Sequence, residues 1–381
     1  MRTYGKSSVF EFLDDFILYR SLSTLHPCLS PIEAVCDELG IPSGVIPRKT
    51  APDYARIVVH LLREARMLEA PSVPIARLVY VGDTLLSDGT AFSNLCRAGG
   101  WPGLAFIGNE TKEPTHVELV ERDTGTLFRA NRWSLLPRFD RFCRERGFRF
   151  DEGTAVVIDL DKTALGARGR NDHVIDRVRI AAVRRTVGDL LGGQFDQQAF
   201  ERAYEQLNAP EFHPFTGDNQ DHLAYLCLIL GTGFVELESL VDELRVGRLI
   251  RFEEFIERVD SRSSRLPNYL GEIHRQIYRA VMEGDPTPFK AFRHAEYKET
   301  VSKMGTLDDD APVSDLMAEE ILITQEVREA ALAWREEGVL LFGLSDKPDE
   351  ASLPTLELAF QGYLPIHSVK THAVGSDAEG G

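Results

Sequence analysis

Residues Val156–Gly166 read VVIDLDKTALG, an apolar run that closes on two aspartates, Asp159 and Asp161, spaced i, i+2. Alternate residues of a strand share a face, so both carboxylates point the same way if the strand continues that far. In a parallel sheet the carboxyl ends of the strands are where ligands bind. Carboxylates held together there repel each other unless a cation is shared between them, and oxygen ligands of this kind suit a hard ion such as Mg²⁺. One aspartate could then attack an electrophile while the other carries the proton. By itself the pentapeptide DLDKT is equally an acidic strand end that opens a loop, so its partners must be sought elsewhere in the chain.

The elements that would position such partners follow from periodicity. Short apolar runs in ARLVYVGD, GLAFIG and VLLFGLSD read as buried strands, too short for helices and closed by Gly or Asp. Ile57, Val58, Leu61, Leu62, Ala65 and Leu68 repeat at helical spacing over 52–69, and SDGTAFSNLCRAGG forms a second helix that ends in glycines. Alternation of strand and helix predicts a doubly wound parallel α/β sheet. Residues 116–147 read as a hairpin with DTG at its turn, followed by a helix, and 1–48 as a helical N-terminal segment. Near the C-terminus Thr324 caps the helix QEVREAALAWREE, and YLPIHSVKTHAV supplies a last strand. The block 167–315 has helical patterning without strands, which predicts a helical domain inserted into an α/β core made of 1–166 and 316–375. The tail 376–381 is expected to be disordered.

Bulk composition narrows the function classes. The 381 residues are 43% apolar and 27% charged, ample for a core in one or two domains. A net charge of −17 disfavours nucleic acid as a partner. The arginine-rich stretch RFDRFCRERGFRF reads as the solvated face of a helix. No run of eighteen apolar residues occurs and the first residues include acids, so neither a membrane span nor secretion is expected. Five cysteines without CxxC pairs fit a reducing cytoplasm. No GxGxxG or GxxxxGK[ST] loop is present.

With these elements in place, DLDKT resembles motif I, DxDxT, of the haloacid-dehalogenase-like (HAD) phosphohydrolase superfamily. The resemblance implies Asp159 as nucleophile, Asp161 as general acid and base, and Thr163 as a supporting hydroxyl. The register DKTGT of P-type ATPases, which would make Asp161 the nucleophile, is excluded by Leu165 and by the lack of membrane spans. Ser345, at the end of VLLFGLSD, stands where the family has motif II. Too few residues follow it to hold motifs III and IV, and these are found upstream instead. Lys49 precedes a helix, Gly82–Asp83 ends a strand, and Asp88 follows five residues on. The chain therefore resembles a circularly permuted member with motif order III, IV, I, cap, II, in which 116–147 joins the old termini.

That resemblance implies a phosphatase acting on a small-molecule phosphate ester through an aspartyl-phosphate, with Mg²⁺ held by Asp159, Asp161 through its carbonyl, Asp83 and, further out, Asp88. Lys49 would bridge Asp159 and the phosphoryl group, with Lys347 as its alternative. Arg168 and Arg170 are candidate substrate contacts, and 167–315 would be a C1-type cap that excludes water and selects substrate. Asp161 argues against dehalogenase and phosphonatase variants. A phosphomutase or phosphotransferase, or an inert scaffold of the same fold, are the alternatives.

Overall fold

The computed structural model describes residues 1–42 and 46–376. The chain divides into two compact units, one of Met1–Arg177 with the chain from Thr300 onward, the other Val178–Glu299.

The first unit is α/β. Its strands are β1 (Arg2–Ser7), β2 (Ile17–Leu18), β3 (Arg77–Gly82), β4 (Gly103–Gly108), β5 (Val117–Arg122), β6 (Gly125–Ala130), β7 (Thr154–Asp159), β8 (Ile323–Thr324), β9 (Leu340–Leu344) and β10 (Thr371–Gly375). Seven of them form one sheet in the order β2-β9-β7-β3-β4-β6-β5, parallel throughout except for the β5–β6 hairpin. The central strands are buried from end to end, which is why they read as unbroken apolar runs rather than alternating ones. On one face the helix Pro52–Glu69 sets Ile57, Val58, Leu61 and Leu62 against Leu78, Tyr80, Val157 and Phe342 of the strands. Elsewhere the unit is filled by aromatic rings, with Phe106 and Phe128 meeting Trp133 and Phe139.

Register decides where the chemistry falls. Val81 pairs with Ile158 and Asp159 with Leu344, so the last residues of β3, β7 and β9 finish at one edge. Strand ends carrying Asp83, Asp159 and Ser345 are thereby neighbours although they come from three distant stretches of sequence.

A smaller sheet, order β1-β10-β8, accounts for two departures from expectation. Residues 1–48 are not simply helical: besides the helices Phe10–Leu13 and Ile32–Leu39 they contribute β1 and β2. The run Phe16–Tyr19 is too short to show a period, and β2 takes its partner, β9, from the far end of the chain, with Ile17 opposite Gly343. The final strand β10 exists but pairs with β1 and β8 rather than with the large sheet.

The second unit is helical, and among its described residues there is no strand. Leu223, Leu226, Phe252, Phe255 and Ile277 are central to its core. It is shorter than the expected 167–315. Residues 167–177 and 300–315 belong to the α/β unit, tied there in part by buried Asn171, whose amide donates to the carbonyls of Met317 (2.7 Å) and Glu320 (3.1 Å). Of the tail 376–381, Ser376 is held by its N–H on Glu326 at 2.9 Å, and 377–381 lie outside the described residues. Among the described residues no helix is long and apolar enough to cross a membrane.

Candidate active site

Asp159 ends β7 and is buried. The chain turns immediately beyond it, with Ala164 N–H on the Asp159 carbonyl (3.2 Å) and Leu165 N–H on that of Leu160 (2.9 Å). This turn sets Lys162 in the left-handed region at φ 64°, a conformation that disfavours side chains. Its amine folds back onto Asp176 at 2.8 and 2.9 Å instead of reaching solvent. Asp161 is half-buried and bridges to Leu165 across the same turn. Thr163 is fully buried and its carbonyl accepts the Thr324 hydroxyl, while its own Oγ1 has no partner among the described residues.

Lys49 arrives from the loop ahead of the helix Pro52–Glu69. Its Nζ donates to Asp159 at 2.5 Å and to Asp88 at 2.7 Å, with all three groups buried. Burial opposes its charge, but the two carboxylates outweigh burial and hold the amine well above its ordinary pKa. Of the two lysines weighed from sequence, Lys49 is thus the one on Asp159. The buried Lys347 flanks Ser345: its N–H donates to Ser345 Oγ at 3.1 Å and its carbonyl accepts Arg20 N–H at 3.1 Å.

Asp88 lies in the first turn of the helix Ser87–Gly99 and reaches back under the end of β3. Its Oδ2 accepts Asp83 N–H (3.0 Å), Thr84 N–H (2.8 Å) and Thr84 Oγ1 (2.9 Å), and its Oδ1 accepts Tyr80 OH (3.0 Å) and Lys49. Gly82 makes this possible, because a Cβ there would sit 2.6 Å from Asp88 Cγ. Burial alone would raise the Asp88 pKa; Lys49 and the surrounding donors overcome it and hold the carboxyl well below the usual range. Both oxygens accept hydrogen bonds, so Asp88 positions Lys49 and the Asp83 loop.

Asp83 pairs with the Arg168 guanidinium. Burial, with repulsion from Asp88, pushes its pKa up to about 7 against the pull of Arg168. Asp159 is also raised, by burial and by Asp88 and Asp83, despite Lys49. The physical reason is a shortage of positive charge: three buried carboxylates lie close together, with Lys49 and Arg168 as their cationic partners. One oxygen from each of Asp83, Asp88 and Asp159 lies within 4.8 Å of the others, a spacing that could hold a cation.

Ser345 follows β9 and is buried, its N–H on the Leu18 carbonyl at 2.9 Å. Leu160 N–H bonds the Leu344 carbonyl at 3.0 Å, which holds the Ser345 and Asp159 strand ends side by side. Arg168 was a candidate substrate contact and does border the carboxylate cluster. Arg170 does not: it is buried in ion pairs with Glu110 (2.8 Å) and Glu326 (2.8 Å), so its assignment to substrate is corrected to a structural one.

Sequence reasoning missed two tyrosines. Tyr80 holds Asp88, yet inside LVYVGD it reads as one more apolar strand residue. Tyr54 is fully buried and its hydroxyl has no partner among the described residues. Burial raises its pKa, with Asp346, Lys49 and Asp159 close enough to be felt. The two-residue offset of Tyr80 from Gly82 was the available signal, since it puts both on the face that Asp88 approaches.

In chemical terms the edge offers a buried carboxylate, a second carboxylate two residues on, a fixed ammonium and a carboxylate spacing that could hold a cation. Compared with known proteins, the chain matches no family model, no curated protein and no solved structure.

Proposed function

We propose that the chain is a Mg²⁺-dependent phosphatase of the HAD-like superfamily, with permuted motif order, which hydrolyses a small phosphorylated metabolite through an aspartyl-phosphate. The observation that carries this reading is the Lys49 amine bonded to both Asp159 and Asp88, with Asp83 beside them. Lys49, Asp83 and Asp159 are the residues on which the resemblance to motifs III, IV and I rests, and β9, β7 and β3 are neighbours in the sheet. The helical unit Val178–Glu299 falls in the chain between Asp159 and Ser345, where the family inserts a C1 cap. Five free cysteines suit a cytoplasmic location.

The donor set fits the metal: hard carboxylate oxygens, grouped within 4.8 Å and short of positive charge. Asp159 and Asp83, with the Asp161 carbonyl, would hold Mg²⁺, which when bound neutralises phosphate charge that the bare carboxylates would repel. In the first step an Asp159 carboxylate oxygen attacks phosphorus, the ester P–O bond breaks, and Asp161 gives its proton to the departing oxygen. In the second, Asp161 takes a proton from water, the water oxygen attacks phosphorus, and the Asp159–phosphorus bond breaks to release inorganic phosphate. Lys49 and the Ser345 hydroxyl stabilise the equatorial oxygens, an electrostatic contribution typically worth ~10²–10³ in rate per donor.

The test is a phosphatase assay with Mg²⁺ on a generic aryl phosphate and a panel of metabolite esters. Asp159→Asn is expected to lose at least ~10³ of the rate. Full activity in Asp159→Asn, or a wild type inactive across the panel, would remove the reading.

A further inference from the structure

A cavity of about 500 Å³ opens beside Asp83 and Arg168, within the α/β unit. Its floor is formed at Ile107 and Ala130, near the ends of β4 and β6, and the loop 109–116 makes its far wall. That wall is tied down. Asn131 accepts His116 N–H (2.8 Å) and donates to the Pro114 carbonyl (2.8 Å), and Arg132 donates to the Glu113 carbonyl (2.6 Å). Glu110 N–H bonds the Arg168 carbonyl at 3.0 Å, and only glycine fits at 169, where a Cβ would lie 1.9 Å from the Glu110 carbonyl oxygen. A wall fixed in this way is preorganised, so a ligand pays little to order it.

The charges of the lining nearly cancel. Arg168 pairs with Asp83 and Arg129 with Glu118, which leaves Glu113 as a carboxylate that no cation matches among the described residues. Asn109 and His116 add polar groups at the rim. A second anionic group would meet net negative charge here, and a lining that mixes Leu85, Leu86 and Ile107 with Asn109 and His116 suits a skeleton carrying both C–H faces and hydroxyls. Resting on the phosphatase reading, we infer that this cavity receives the leaving group, and that the substrate is the phosphate monoester of a neutral, hydroxylated carbon skeleton of the sugar or polyol class. Recognition of that skeleton then lies with the β5–β6 side of the α/β unit.

The test compares kcat/KM for hexose monophosphates, hexyl phosphate, phosphoglycerate and acetyl phosphate. Asn109→Trp fills the cavity from an exposed position whose only hydrogen bond among the described residues is made by the backbone. It is expected to lower hexose monophosphate turnover at least ~10-fold and leave acetyl phosphate within about twofold. Glu113→Lys should shift preference toward phosphoglycerate by at least about threefold. Equal effects of Asn109→Trp on both substrates, or a wild type that prefers hexyl phosphate, would overturn the inference while leaving the phosphatase intact. If neither the esters nor acetyl phosphate is hydrolysed, the catalytic reading has failed. Calorimetric binding of a hexose monophosphate with Mg²⁺ then decides the cavity: weakening at least ~10-fold in Asn109→Trp supports it, and equal affinity, or no binding, overturns it.

Discussion

Lys49 is the residue on which the cluster turns, because one amine bonds two buried carboxylates. Lys49→Ala would leave both without a cation, and we expect a loss of about 3–5 kcal/mol of stability, together with at least ~100-fold in kcat. Urea denaturation and steady-state kinetics check the two effects separately. A second prediction concerns Asp83, whose folded pKa of about 7 lies above its ordinary value of 3.8. A group raised in this way stabilises the folded state only while protonated, so metal-free stability should decline as pH rises from about 4 to 7. Mg²⁺ replaces the missing positive charge and should reverse the decline. The rise in Tm on adding Mg²⁺ is therefore expected to be larger at pH 8 than at pH 6. Most of this site was legible in sequence, since Asp159, Lys49, Asp83 and Asp88 each sit at a strand end or helix start that periodicity locates. What was not legible is how they share donors: nothing in the letters says that Asp88 is saturated by Tyr80 and Thr84, or that Arg168 turns toward Asp83 while Arg170 turns into the core.

Among the elements, the buried parallel strands β3, β4, β7 and β9 declare themselves because burial on both faces demands an apolar run. The strand β2 does not, being two residues long and paired with a strand more than three hundred residues away. A side-chain relay next to it helps hold that segment in place. Tyr19 OH meets His367 Nδ1 at 3.0 Å, and His367 Nε2 meets Asp15 at 3.1 Å. A carboxylate only accepts, so Nε2 carries the hydrogen and the tyrosine hydroxyl donates to Nδ1, which is the neutral imidazole. Burial lowers the His367 pKa despite Asp15. The unfolded chain then binds the proton more readily, so stability is full above about pH 6.5 and falls as pH drops through the lower folded value. His274 in the helical unit, also lowered by burial, adds in the same direction. With saturating Mg²⁺, which removes the opposite trend set by Asp83, we expect the urea midpoint to fall between pH 7.5 and 5.5, and His367→Gln to flatten part of that slope.

For the whole molecule, β1 and β10 lie antiparallel, with Arg2 opposite Gly375. Residues near the two ends of the described chain are thus strand neighbours, and a short linker can join them. Opening the joined chain between the helix Leu136–Glu145 and β7, where Gly147 turns at φ 80°, would give the motif order I, cap, II, III, IV. This variant is expected to fold to the same far-ultraviolet spectrum and keep Mg²⁺-dependent activity within about threefold, because neither break nor join touches a core strand. Loss of folding in the relinked chain, with the wild type stable, would count against the permuted reading.

The pairing of Ile17 with Gly343 also has a temporal side. On a ribosome adding ~5–20 residues per second, β2 emerges tens of seconds before its partner β9 exists. During that interval β7 can meet β3 but has no neighbour on its other edge, while the helical unit is being made. An unpaired edge of buried-type sequence is a template for wrong pairing. The order of synthesis therefore gives the nascent chain a long window in which one edge of β7 is exposed, and holding chaperones would act in that window.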